Sequence, residues 1–191
     1  HVIATLASQI EGHPDNASPA AFGGAMLGVA RDDATAFAPC TYTFSPLTVH
    51  ATLAFIFAVP PMEVATAAAR AVLPAHVSFG DAVSAVQRSA ALVHGLATGD
   101  ADLLARALDD VLHVPYRRQL VPGYDAIVRA ACAAGAFGAT LSGSGSAMLA
   151  IGRPEQAGEI AHAMQVAFAN VGLTAVTLVT DGAVGGLWTK P

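Results

Sequence analysis

Ala134–Ile151 reads AGAFGATLSGSGSAMLAI, and the fold turns on what its centre, Ser142-Gly-Ser-Gly-Ser146, does. A phosphate loop of the GxxxxGK[ST] kind follows a strand, opens a helix and carries a lysine. Here short apolar runs, Gly138–Leu141 and Ala147–Ile151, flank the glycines on both sides, and there is no lysine. The pattern predicts a hairpin turn between two strands. Its backbone N–H groups could still cradle an anion. Upstream, Pro122–Ala134 reads as a helix stopped by Gly135. Downstream, Pro154–Asn170 reads as a helix ending near Gly172, followed by a strand over Thr174–Thr180. Strands alternating irregularly with helices predict an α+β, two-layer α/β sandwich rather than a doubly wound sheet.

The same reading extends to the N-terminus. Val2–Ile10 has helical apolar spacing. Ser18-Pro19 reads as N-cap and first residue of a second helix running to Val29. Ala36–Phe44 and Thr48–Val59 are rich in β-branched and aromatic residues and read as strands, the second stopped by Pro60-Pro61. Met62–Val72, Ser78–His94 (capped by Ser78) and Asp100–Leu112 complete the helices.

Of the 191 residues, 54% are apolar and only 12% charged, below the usual quarter for soluble proteins. The longest apolar run, Ala51–Pro61, is nevertheless too short to span a bilayer. A net charge of −5 and a single basic doublet, Arg117-Arg118, speak against a nucleic-acid surface. Cys40 and Cys132 are far apart and outside any CxxC pattern, as expected of small buried residues in a reducing, cytoplasmic compartment. We expect neither a membrane nor a nucleic-acid partner.

Three stretches could carry chemistry. EGHPDN, Glu11–Asn16, packs two carboxylates, an imidazole and a carboxamide in front of a helix, whose free N–H groups favour an anion. Asp15 or Ser18 could simply cap that helix. Glu11, His13 and Asp15, at alternate positions, could instead supply metal ligands, and hard oxygens favour Mg²⁺ over zinc. Arg70, in AAARAVLP, lies near a helix end. Arg117 and Arg118, in VPYRRQLVPG, lie between Pro115 and Pro122. A rigid turn presenting arginine forks suits a carboxylate, and a solvated surface pair is the competing reading.

The order of these stretches along the chain resembles that of the homoserine kinases, within the galactokinase, homoserine kinase, mevalonate kinase and phosphomevalonate kinase (GHMP) superfamily. EGHPDN leads into a helix start ending Phe22-Gly23-Gly24, then come ARAVLP, PYRRQLVPGY and AGAFGATLSGSGSAMLAI. The resemblance covers nearly the whole chain. It implies transfer of the γ-phosphoryl of ATP, with Mg²⁺, to the hydroxyl of L-homoserine in threonine biosynthesis. By the same resemblance, His13, Asp15 and Asn16 line the homoserine pocket, with Asn16 orienting the hydroxyl and Asp15 as a candidate base. Arg70 and Arg117 hold the substrate carboxylate, Glu11 is the nearest match to the metal-binding glutamate, and Ser142, Gly143, Ser144 and Gly145 lie beside the phosphates.

Two departures stand out. Family members carry a PxxxGLGSSAA phosphate loop upstream of EGHPDN, and no such loop occurs in these 191 residues. Ser146 replaces a frequent proline. The resemblance therefore implies the C-terminal part of such a kinase, inactive alone. Residues 1–45 would be the end of the N-terminal, ribosomal S5 domain 2-like domain, and 46–191 the ferredoxin-like C-terminal GHMP-kinase domain. Its expected partners are L-homoserine, ATP and the missing N-terminal part of the same polypeptide, with a homodimer left open. The alternative is a free-standing, non-catalytic relative that binds small molecules. An isolated piece would expose an apolar face and associate.

Overall fold

The computed structural model describes residues 2–31 and 41–182. They form two compact units, one ending at Val49 and joined by Gly182, the other spanning His50–Asp181. The first unit contains helices α1 (Val2–Glu11) and α2 (Ala17–Phe22) and strands β1 (Ala25–Arg31) and β2 (Thr41–Leu47). The strands pair antiparallel, with Gly28 opposite Phe44. Ala4, Ala21 and Phe44 form a small core, closed by Phe22, Met26 and Tyr42.

The second unit holds strands β3 (Ala54–Val59), β4 (Gly138–Leu141), β5 (Met148–Gly152) and β6 (Val176–Thr180) in the order β4-β5-β3-β6. Every neighbouring pair is antiparallel. Helix α7 (Tyr124–Ala133) leads into β4, and α8 (Ala157–Ala169) links β5 to β6. The succession is therefore β-α-β-β-α-β, the ferredoxin-like pattern. Helices α3 (Thr66–Ala71), α4 (Phe79–Thr98), α5 (Ala101–Ala107) and α6 (Val114–Arg117) are inserted into its first crossover. Alternate residues of β3 (Ala54, Ile56 and Ala58) join Met148, Ala150, Ala139 and Leu141 in one buried cluster with Ile127, Ile160, Met164 and Phe168 of α7 and α8. Each large side chain so buried contributes about 1.5–3 kcal/mol. Among the described residues no helix is long and apolar enough to cross a membrane.

The α+β class, the hairpin around the glycines and the last helix and strand agree with the sequence reading. Five elements differ. The helix expected through Val29 ends at Phe22, because Gly23 and Gly24 both have positive φ; the apolar stretch beyond joins β2 as a strand. The strand expected over Ala36–Phe44 is present from Thr41, and residues 36–40 lie outside the described residues. The strand expected from Thr48 begins only at Ala54, after a turn in which His50 Nδ1 lies 2.8 Å from Thr52 Oγ1 and the Leu53 N–H bonds the His50 carbonyl.

The expected Met62–Val72 helix shrinks to α3, because Met62 gives its carbonyl to a tertiary contact described below. The Asp100–Leu112 helix stops at Ala107. There the Asp110 carboxylate accepts N–H bonds from Leu112, His113 and Val114 and starts α6 instead. Cys132 is an exposed free thiol rather than a buried residue, and Cys40 lies outside the described residues.

Phe168 is fully buried at the centre of the larger core. Phe168→Ala is expected to lower the unfolding free energy by about 3–5 kcal/mol, read from urea denaturation midpoints.

Candidate active site

The first unit carries the EGHPDN loop. Helix α1 closes with the Gly12 N–H bonded to the Ser8 carbonyl at 2.8 Å. The chain then turns so that Pro14 is buried while Glu11, Asp15 and Asn16 are exposed and His13 is half-buried. Pro14 lies on the backbone of β1: a Cβ added at Gly28 would sit 2.7 Å from both Pro14 Cβ and Cγ. Only glycine permits that approach, so the strand fixes the loop. His13 Nδ1 and the Asp15 carboxylate are 3.8 Å apart, ion-pair rather than hydrogen-bond distance.

The helix-capping reading of this loop does not hold. Asn16 occupies the N-cap with helical φ and ψ and makes no side-chain cap bond. Ser18 lies inside α2, its buried hydroxyl without a protein partner. The exposed Asn16 carboxamide is thus not used by the helix, and the Asp15 carboxylate has His13 at ion-pair distance. No group of three or more metal-ligating side chains occurs among the described residues. Glu11 therefore offers one exposed carboxylate. This fits a metal ion held mainly by phosphate oxygens and water, as Mg²⁺ commonly is, and does not fit a protein-only cage.

In the second unit three segments distant in sequence converge. Arg117, at the end of α6, donates from Nε to the Ala69 carbonyl at 3.1 Å. Ala69 immediately precedes Arg70, the cation in the last turn of α3. The bond joins residues 48 apart in sequence and uses Nε alone, so it holds the Arg117 side chain against the last turn of α3 without engaging the outer fork of the guanidinium. The glycine turn meets the same segments. The Ser146 hydroxyl donates to the Met62 carbonyl, just ahead of α3, and a Cβ on Gly145 would lie 3.3 Å from Val121 Cγ2, just after Arg117. The turn closes through the Ser142 N–H to the Ala147 carbonyl and the Gly145 N–H to the Ser142 carbonyl. Gly143 and Gly145 both have positive φ, and the space a Cβ on Gly143 would enter is open.

The proposed site residues thus fall into two groups, one in each unit: Glu11, His13, Asp15 and Asn16 in the first, and Arg70, Arg117 and Ser142–Gly145 in the second. Arg118 is instead a surface ion pair, 3.2 Å from Asp125. The contacts of Met62, Val121 and Ser146 carry no local sequence signal, because each depends on a partner far along the chain. Sequence reading also missed a cavity of about 500 Å³ between α5, α6, α7 and β4, lined in part by Asp109, Asp110, Arg118, Tyr124 and Phe137. Burial pushes the Tyr124 phenol above its ordinary range.

Residues 92–170 match the family described as GHMP kinases C terminal. The chain carries a GHMP-kinase C-terminal domain. Around that domain it is similar to homoserine kinases. It is 39% identical to the homoserine kinase of a Picosynechococcus species over 94% of this chain and 56% of that protein. It is 42% identical to that of Microchaete diplosiphon over 89% of this chain and 53% of the relative. The chain therefore spans about half the length of these curated relatives. The crystal structure of homoserine kinase from Cytophaga hutchinsonii superposes with a TM-score of 0.70 at 33% identity, covering 73% of this chain and 44% of that one. The sandwich described above is thus the GHMP-kinase fold.

Two outcomes follow from this geometry. Gly28→Ala must push Pro14 away and is expected to cost about 1–3 kcal/mol, with the largest NMR shift changes in Gly12–Asn16. In Cys40→Ser protein, Cys132 is alkylated in the folded state. Although the residue is exposed, the partial desolvation it retains raises its thiol pKa, and the thiol stays protonated at neutral pH. The iodoacetamide rate is therefore expected to be slow there and still rising above pH 9, the ordinary thiol value.

Proposed function

We propose that the chain supplies the substrate-binding and second-domain part of a homoserine kinase, which phosphorylates the L-homoserine hydroxyl with ATP on the route to threonine in the cytoplasm. In this reading residues 1–45 end the N-terminal kinase domain and 46–191 form the C-terminal one. The phosphate loop comes from the portion of the relatives that this chain does not match. The observation that carries the reading is the Arg117–Ala69 bond. It ties the Arg117 side chain to the segment that carries Arg70, to which Ser146 also joins the glycine turn, and this supports a cationic clamp for a small carboxylate-bearing substrate.

Phosphoryl transfer depends mainly on positioning and charge neutralisation. Arg70 and Arg117 would take the homoserine carboxylate, the Arg117 fork being held open by its backbone anchor. Asn16 would orient the hydroxyl and His13 would line the pocket. The hydroxyl oxygen bonds to the γ-phosphorus as the bond to ADP breaks, and its proton passes to Asp15 or to solvent. Ser142–Gly145 would lie beside the phosphates, with the Gly143 and Ser144 N–H groups, which the turn's own bonds do not use, facing them. Mg²⁺ bound with ATP supplies neutralising charge, and Glu11 is the carboxylate of this chain that would hold it.

The test joins this chain to the unmatched portion of the Picosynechococcus enzyme and measures ADP formation with ATP and L-homoserine. Homoserine-dependent turnover supports the reading. Homoserine binding without turnover supports a non-catalytic relative, and the absence of both turnover and binding would remove the substrate assignment. In the active chimera, Arg117→Ala is expected to raise KM for homoserine about tenfold or more, the equivalent of a charge-assisted hydrogen bond of about 1.5–3 kcal/mol. Asn16→Ala is expected to reduce kcat far more than it reduces the melting temperature.

A further inference from the structure

Asp109 and Asp110 carry the same group and are put to different uses. Asp109 serves α4, with its carboxylate 3.1 Å from Arg88. Asp110 turns back on its own chain: Oδ1 accepts the N–H groups of Leu112, His113 and Val114 at 2.8, 2.7 and 2.9 Å. His113 Nε2 stands 3.3 Å from its other oxygen. Three N–H bonds on one oxygen suit a charged acceptor, whose bonds are roughly twice as strong as those of a neutral one.

These bonds continue into the site. His113, which gives its N–H to Asp110, accepts the Arg117 N–H on its carbonyl at 2.9 Å. Arg117 in turn donates from Nε to the Ala69 carbonyl at 3.1 Å. One residue therefore stands between the carboxylate and the arginine, and the three contacts run in series from Asp110 to the last turn of α3.

Little else sets the orientation of α6. It is a single turn of four residues, too short to be stable by itself. Val114 is buried in the main core, but a hydrophobic contact is non-directional and does not fix rotation about it. Val114, Pro115 and Arg118 also border the cavity of about 500 Å³, so side-chain packing does not close that side of the turn. Hydrogen bonds at its two ends orient it, and at the N-terminal end they come from Asp110.

We propose that Asp110 is a positioning residue for Arg117: its carboxylate holds α6 in the orientation that keeps the guanidinium on the Ala69 carbonyl with the outer fork free. Asp110 itself touches no substrate. What the fork binds rests on the homoserine kinase reading; the coupling of Asp110 to Arg117 does not.

The coupling is measured on the 191-residue chain by NMR of the arginine Nε–H groups, whose exchange with water is slowed by a hydrogen bond. The Arg117 signal is the one lost in Arg117→Lys. Asp110→Ala is expected to speed its exchange about fivefold or more, the effect of losing one cap. Backbone amides of β3 are expected to stay protected, whereas a purely structural loss would speed them in the same proportion. Asp110→Asn keeps an uncharged acceptor oxygen and is expected to speed the exchange about twofold; it decides the matter if Asp110→Ala does not fold. Asp109→Ala is expected to change nothing at Arg117.

In the active chimera, Asp110→Ala is expected to raise KM for homoserine about fivefold with kcat nearly unchanged. It is expected to add nothing once Arg117 is alanine, because residues acting through one another are not additive. The proposal is overturned by unchanged Arg117 exchange in the folded Asp110 variants, by equal acceleration in Asp109→Ala, or by a KM effect that persists undiminished in the Arg117→Ala background. A chimera that neither turns over nor binds homoserine overturns the kinase reading instead, and the exchange rates still decide the role of Asp110.

Discussion

A carbonyl that helix α3 leaves free decides where the chemistry-bearing parts of the larger unit meet. The Ala69 C=O, one residue before Arg70, accepts Nε of Arg117. Through that contact the inserted helices, whose Ala69 and Val114 are also buried in the main core, are tied back to the segment leaving β3. Ser146 makes a second tie a few residues earlier, to Met62. A backbone carbonyl is a modest acceptor, and a typical hydrogen bond adds only about 0.5–1.5 kcal/mol net. Its value here is directional, since Nε can bond only if the guanidinium plane is turned one way. The arginine fork is therefore oriented by the protein itself, and in the proposed role side-chain entropy already lost need not be lost again on binding.

The sheet beneath supplies the rigidity these ties require. Ile56, Met148, Ile160, Met164 and Phe168 have no measurable exposure, and β3 lies between β5 and β6, paired to both. The glycine turn is the short link between β4 and β5, so its position is set by the ladder on either side. This arrangement differs from a phosphate loop that opens a helix, because its free N–H groups owe their orientation to strand pairing rather than to a helix end.

The sequence shows the alternation of the second unit well, since a hairpin around SGSGS, a helix stopped by Gly135 and a terminal helix and strand all have local signals. It shows the first unit less well. Met26 to Val29 reads as a helix continuation by apolar spacing alone, and only the two consecutive positive-φ glycines, Gly23 and Gly24, convert it to a strand. The shortened α3 and the break before α6 have tertiary or side-chain causes, in Met62 and Asp110. For the site, the motifs point to Arg70, Arg117 and the glycine turn. Their convergence is invisible in sequence because it rests on contacts between residues dozens of positions apart. Ser18, a plausible cap by position, lies inside α2 with its hydroxyl unbonded, and Asn16, which takes the N-cap position, makes no cap bond.

Pro14 seated over Gly28 ties the placement of the EGHPDN loop to the alignment of two strands. Gly28 is flanked by Leu27 and Val29, and side chains on adjacent strand residues project to opposite faces. If β1 slipped by one residue against β2, a position bearing a branched side chain would replace the glycine, and every side chain on β1 would change face. Pro14 could not then settle. The loop is thus a gauge of hairpin registration: His13, Asp15 and Asn16 reach their places only on chains whose strands have paired correctly, and a misaligned hairpin silences its own polar loop.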